Sequence, residues 1–292
     1  TRPRTATSRR PLERCTHMTW DPIEADSIDA IRNRDADPLR TLARGDTPAI
    51  ILRGAYGATD CAGLVARFLE RELMRDPTLP AQEGDRRRID IGTSLGNRGA
   101  DQEDFLEHAE TTRALFGHLF AGLADPVEFI YGALQQLAGD GQQVLTAREP
   151  DGREYGPAIF RIHYDGHAYP PHIDHVTLRE KRFNYAVSRF EHQFAGILCV
   201  QNAVSTGATQ GVLHHCLWTE QIQPHIRAHT FHEYAQEQGI DRCQVDLQAG
   251  DLYFFNTRHI HEVPAVEGDD PRIVLAIFIG YNEGDSDIFV WA

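Results

Sequence analysis

In the run Tyr169-Pro-Pro-His172-Ile-Asp174-His175, an imidazole and a carboxylate stand two residues apart. On an extended strand that spacing turns both side chains to one face, so His172 and Asp174 aim at a common point. A metal ion held there needs a third donor. The segment Gly250-Asp-Leu-Tyr-Phe-Phe-Asn-Thr-Arg-His259-Ile-His261-Glu-Val263 offers one: 251–256 reads as a strand ending in a turn, and the strand after it carries a histidine. His259 and His261 compete for the role. Two histidines and one carboxylate, with no thiolate, form the facial set suited to iron(II), and they leave the opposite positions open for dioxygen and a chelating co-substrate.

Eleven residues after His261, Arg272 opens the run Arg-Ile-Val-Leu-Ala-Ile-Phe-Ile-Gly. An arginine on a strand beside such a metal can hold a carboxylate through two nitrogens at once. That is the demand of 2-oxoglutarate, whose keto-acid end chelates iron while its distal carboxylate needs a fixed cation.

Arg161, Tyr164, Gly166, His172 and Asp174, then Gly250-Asp251-Leu252 with Phe255, then His261-x-Val263 and Arg272, resemble the iron(II)/2-oxoglutarate-dependent dioxygenases in the branch with prolyl-hydroxylase-like motifs. The resemblance covers residues 155–282 and favours His261 over His259 as the third ligand. It implies a double-stranded β-helix, a cupin-like jelly roll, with iron(II) at its open mouth, dioxygen as oxidant and 2-oxoglutarate anchored by Arg272. Tyr164 either hydrogen-bonds the co-substrate or sits in the core. The implied reaction is oxidative decarboxylation of 2-oxoglutarate to succinate and carbon dioxide, coupled to oxidation of an unactivated C–H bond. Halogenases of the superfamily carry a small residue where this chain has Asp174, so the carboxylate implies hydroxylation, desaturation or ring closure. Val274 stands where many members have serine or threonine, which leaves the second contact to the co-substrate carboxylate unassigned.

The other polar residues near these motifs have plainer readings. His163, His167 and His175 read as solvent-facing or as supports for metal-bound histidines. His214 and His215 cannot both point inward on one strand, and neither reads as a ligand. The stretch Arg179-Glu-Lys181-Arg182, continuing to Arg189, is either a solvated face or a cation for an acidic substrate. Trp218 and Phe231 read as packing residues.

These motifs need a scaffold, and the hydrophobic pattern divides near residue 150. After it come short extended runs at 158–164, 194–201, 211–218, 242–247, 251–256 and 272–281, separated by Gly, Pro and polar breaks. Before it the pattern is mainly helical. Asp60 can cap a helix over 60–74, with Leu64, Val65, Phe68, Leu69 and Leu73 on one face. A second helix is expected over 103–123, and Asp125-Pro126 supplies the cap and first-turn proline for a third, over 126–137. Helices gathered at one end with strands following predict an α+β layout: a tail at 1–17, a mainly helical portion at 18–150 packed on the core, and a double-stranded β-helix core at 151–292. The long interval 175–250 between the ligands is expected to hold insertions that form a substrate lid.

With 292 residues, 41% of them hydrophobic and 25% charged, the composition is that of an ordinary globular chain. Its net charge of -14 would repel a nucleic-acid backbone over most of the surface. No apolar run approaches the roughly 20 residues that span a bilayer. Cys15, Cys61, Cys199, Cys216 and Cys243 are scattered without a CxxC pair, so neither a disulfide framework nor a cysteine zinc site is expected, and a reducing cytoplasm fits. Residues 1–17 carry Arg2, Arg4, Arg9, Arg10 and Arg14 with no apolar stretch after them, unlike a signal peptide. The expected substrate is a small polar metabolite, an amino acid or a derivative. A peptide or protein hydroxylase and a non-catalytic cupin-like metal sensor are the alternatives, and a homodimer is left open.

Overall fold

A strand covered on both faces reads as an unbroken apolar run, and 272–281 is such a run after its opening arginine. The computed structural model, which describes residues 20–203 and 209–292, makes it a central strand. The tail expected over 1–17 lies outside the described residues.

Among those residues the strands are β1 (Ile23–Ala25), β2 (Ala49–Leu52), β3 (Arg88–Gly92), β4 (Gln143–Thr146), β5 (Ile159–His163), β6 (Tyr169–His172), β7 (His192–Gln201), β8 (Thr209–Leu217), β9 (Arg242–Asp246), β10 (Leu252–Asn256), β11 (His259–Val263), β12 (Arg272–Tyr281) and β13 (Asp287–Trp291). The helices are α1 (Ile28–Arg34), α2 (Pro38–Arg44), α3 (Ala58–Glu70), α4 (Leu95–Arg98), α5 (Gln102–Leu119), α6 (Pro126–Leu137), α7 (Gln223–Arg227) and α8 (Phe231–Gln238). Nine strands form the larger sheet along the path β1-β2-β10-β7-β12-β13-β4, with β5 paired to the first half of β12 and β3 paired to β5. The smaller sheet has the order β6-β11-β8-β9.

Alternation along β12 and β7 sorts their side chains into two cores. Ile273, Leu275, Ile277 and Ile279, with Phe194, Leu198 and Val200, pack under Leu64 and Phe68 of α3, Phe116 and Leu119 of α5, and Ile130 and Leu134 of α6. Val274 and Ala276, with Ala195, Ile197 and Cys199, face Leu213 of β8 and Cys243 and Val245 of β9 across the space between the sheets. Phe160 of β5 meets Phe68, Phe116 and Phe120 with ring centroids 4.8, 5.8 and 6.1 Å away, which locks the helices to the strand that carries Arg161 and His163.

The helices start where side-chain caps stand. Asp125 Oδ1 accepts from Val127 N at 2.8 Å and Glu128 N at 3.1 Å, with Pro126 in the first turn. Asp101 does the same for α5, accepting from Glu103 N and Asp104 N. Asp60, expected as the cap of α3, lies inside its first turn, and its carboxylate instead accepts from Ala124 N at 3.0 Å; Gly57 takes the cap position. That helix closes at Glu70, short of the expected 74, because Glu72 turns to φ 55° and Leu73 N donates back to Phe68 O.

The portion 18–150 adds four short strands, β1 to β4, to the larger sheet as well as its helices. The interval 175–250 is less of an insertion than its length suggests, since β7, β8 and β9 occupy much of it. Its remaining parts diverge. The stretch before β7 reaches the cavity between the sheets through Val176, Arg179 and Glu180. By contrast, Phe231 and Ala235 of α8 pack with Ile173, Ile222 and Ile260 in a separate cluster that Trp218 covers, so Trp218 and Phe231 are packing residues. No helix of the described residues is long and apolar enough to cross a membrane.

Candidate active site

β6 ends at His172, and β11 pairs with it so that His261 is its register partner. Two residues past His172 the backbone of Asp174 is pinned to the turn before β11: Asp174 N donates to Thr257 O at 3.1 Å, and Thr257 Oγ1 donates to Asp174 O at 2.5 Å. The result brings His172, Asp174 and His261 together. Asp174 Oδ2 lies 3.5 Å from His261 Nε2 and 3.8 Å from His172 Nε2, and one donor atom from each residue falls within 4.8 Å of the other two.

The donor set fits a divalent metal. With metal–ligand bonds of about 2.1 Å, neighbouring ligand atoms sit about 3 Å apart, so Asp174 Oδ2 and each histidine need close by less than an ångström. Both histidines are already turned for it. His172 Nδ1 bonds Pro170 O at 2.7 Å and His261 Nδ1 bonds His259 O at 2.8 Å. A carbonyl only accepts, so each Nδ1 carries the proton and each Nε2 presents its lone pair. Burial lowers His172 to about 4, keeping it neutral. Burial pushes Asp174 the other way, but the neighbouring His261 and His172 rings and the Arg179 guanidinium outweigh it and hold the carboxyl well below its usual range.

His259, the competitor for the third position, stands elsewhere. Its Nδ1 bonds His214 O at 3.1 Å, its ring lies 5.1 Å from that of Trp20, and its Nε2 faces Gly45. Gly45 ends α2 at φ 76°, and a Cβ there would meet His259 Nε2 at 2.7 Å, so the turn needs glycine on both counts. Glu262 turns to His214 and His232, at 3.0 and 3.3 Å.

The metal-ligand candidates border a cavity of about 410 Å³ between the sheets. Arg272 lines it and is buried. Its Nη1 lies 2.8 Å from Nδ1 of His163, the register partner of Arg272 on β5. A guanidinium only donates, so His163 Nδ1 accepts and its proton is on Nε2, which lies 3.5 Å from the Tyr169 hydroxyl. Burial and the adjacent Arg272 keep His163 neutral, well below its ordinary value. His163 is thus no solvent-facing residue: it orients the arginine. His175 is buried as well, its Nδ1 receiving the Thr177 and Leu178 N–H groups.

The structure does not bring Tyr164 to the cavity. Strand alternation puts it on the face of β5 opposite Arg161 and His163, among the helices, where its hydroxyl accepts from Arg75 N at 2.8 Å. Period-2 alternation from Arg161 already carries that information, and it selects His163 instead. Arg179 was missed as a partner of the triad: its guanidinium bonds Asp174 Oδ1 and, at 2.9 Å, Ile173 O.

No curated protein matches the chain. Among solved structures, a novel N-substituted L-amino acid dioxygenase from Burkholderia ambifaria AMMD is similar with a TM-score of 0.55 and 15% identity, over 88% of this chain and 91% of that one. The same enzyme in complex with alpha-ketoglutarate gives a TM-score of 0.52 and 16% identity over the same shares. At that identity the likeness bears on the fold. The model of the family described as carrier-protein-independent halogenase WelO5 matches residues 22–292. A match that spans nearly the whole chain places it in that family, and thereby among the oxygenases that depend on iron(II), 2-oxoglutarate and dioxygen.

Proposed function

We propose that this member of the family is a hydroxylase of small polar metabolites, an amino acid or a derivative, built on a double-stranded β-helix. His172, Asp174 and His261 hold iron(II), and Arg272, set by His163, receives the distal carboxylate of 2-oxoglutarate. The observation that carries the reading is Asp174. A halogenase needs an open coordination position where this carboxylate stands. Here the carboxylate is ionised, has Oδ2 towards both histidines and has Oδ1 fixed by Arg179. When bound, iron(II) with 2-oxoglutarate and dioxygen supplies the oxidant for a C–H bond, releasing succinate and carbon dioxide.

The chain's own contribution is placement. Val274 and Ala276 form an apolar wall beside the candidate ligands, which keeps water from the reacting centre, while Phe278 and Trp291 border the cavity further along. The cavity volume suits a metabolite and its co-substrate rather than a folded partner.

The first test is an anaerobic titration with iron(II) and 2-oxoglutarate, watching for the weak visible charge-transfer band of a chelated keto acid. The second is aerobic turnover of a metabolite panel with chloride present. Succinate release with products heavier by one oxygen is the expected result. Chlorinated products would overturn hydroxylation, and metal binding without any turnover would leave a metal sensor.

A further inference from the structure

Among the described residues, the arginines on the cavity wall other than Arg161 each have a polar side-chain partner. Arg88 donates from Nε and Nη2 to the two oxygens of Asp90 at 2.7 and 2.6 Å. Arg179 is paired with Asp174 and, at 3.5 Å, with Glu180. Arg161 lines the same cavity, and its side chain forms no hydrogen bond and no ion pair with any described residue. Its Nε is buried without an acceptor. Its guanidinium carbon lies 5.9 Å from the centroid of the Phe278 ring. The nearest candidate anion by register is Asp90, directly across β3, but both its oxygens are taken by Arg88. A half-buried guanidinium whose Nε has no acceptor is poorly satisfied, and an anion entering the cavity would satisfy it.

Its direction says which anion. The inward residues of β12 run Arg272, Val274, Ala276, Phe278; the first three are buried and Phe278 is half-buried. Arg161 is the register partner of Val274, yet its guanidinium lies against Phe278, four residues further along the strand. It leans along the strand towards Phe278, away from the Arg272 end. On the reading above, 2-oxoglutarate places one carboxylate on Arg272 and the other on the metal, so neither needs Arg161. One positive charge without an anionic partner among the described residues matches one negative charge on the incoming molecule.

We infer that Arg161 is the anchor for a carboxylate on the substrate, so that the hydroxylated metabolite is a carboxylic acid. The inference rests on the oxygenase reading and narrows its substrate class. Anaerobic protein loaded with iron(II) and 2-oxoglutarate is given amino acids, N-acyl amino acids and arylalkanoic acids, each beside its neutral primary amide. Binding is read from changes in the charge-transfer band and from ligand-observed NMR. Acids are expected to bind at least tenfold more tightly than their amides. Arg161→Gln abolishes that preference while its 2-oxoglutarate affinity stays within twofold of wild type, and Arg161→Lys restores part of it. The inference is overturned if no acid is preferred over its amide, or if Arg161→Gln keeps the preference. A tenfold loss of 2-oxoglutarate affinity in Arg161→Gln with the preference intact would assign the arginine to the co-substrate, which also overturns it. Failure of the oxygenase reading is separately visible, because wild type would then give no band before any acid is added, and this inference would fall with it.

Discussion

Arg179 holds one oxygen of the Asp174 carboxylate while the other oxygen faces the Nε2 atoms of His172 and His261. The arginine is itself fixed by the Ile173 carbonyl at 2.9 Å. A carboxylate held this way offers a metal a single oxygen in a set direction. Partners of this kind are worth about 10- to 100-fold in metal affinity. Arg179→Leu should therefore weaken iron(II) or cobalt(II) binding by about that factor, measured by anaerobic titration. Its side chain is 44% exposed, so the melting temperature should move little. An unchanged metal affinity would show that the pair is only a surface contact.

Asp174→Gly removes the proposed carboxylate ligand itself. Loss of hydroxylation is expected, with 2-oxoglutarate affinity reduced less than turnover because Arg272 and the histidines remain. Product mass spectra in the presence of chloride read the outcome, and full hydroxylation by the variant would remove Asp174 from the metal.

Arg272→Ala should leave metal binding intact and weaken 2-oxoglutarate about ten- to a hundredfold, the range expected for a lost charge-assisted hydrogen bond. Loss of its N–H leaves His163 Nδ1 without its donor, so His163→Leu should give a milder version of the same defect. The charge-transfer titration measures both.

Tyr164→Phe separates the two readings of that tyrosine. Its hydroxyl bonds Arg75, away from the cavity, so the loss should be about 0.5–1.5 kcal/mol of stability, with 2-oxoglutarate affinity unchanged. Denaturant unfolding and the titration would be run side by side; a large affinity loss would place the hydroxyl at the co-substrate.

Buried neutral histidines give stability a definite pH dependence. Burial lowers His175 and His259 to about 4 and His163 well below 6.5. Unfolded rings titrate near 6.5, so between there and about 4 the unfolded chain binds more protons. This stabilisation is complete above 6.5 and declines as the pH falls through that window. Asp174, whose folded value is depressed, adds stability that is lost only at pH below its ordinary 3.8. Melting temperatures of metal-free protein should be flat from pH 8 to 7 and fall by pH 5. A flat profile throughout would mean that these rings take up protons in the folded state.

The centre of the site was legible because its residues obey short rules. The His172–Asp174 spacing and the apolar run from Arg272 each fix a side-chain direction within one strand, and β12 has the bounds expected for it. Tyr164 went astray because a motif was followed across a residue where alternation reverses the face. Arg179 was ambiguous because a chain of charges after a strand has no periodicity to say which one turns back. β1 to β4 are three to five residues long, and their partners lie far away in sequence, as with Ile50 beside Phe254, so no local pattern announces them. His259 and His261 differ through contacts with Trp20 and Gly45 that only the folded chain brings near.

β12 belongs to two worlds: its outward residues are locked among the helices, and its inward ones line the reaction chamber. Changing Arg272, Val274 or Ala276 therefore disturbs a strand that the whole domain grips. The rim is different. Ser94 to Asn97 and Val176 to Glu180 reach the chamber from short segments outside the sheet pairing. Apart from Arg179, which holds Asp174, the rim can change its sequence without loosening the strands that carry the candidate metal ligands, so the shape of the cavity wall can vary while its floor stays as it is.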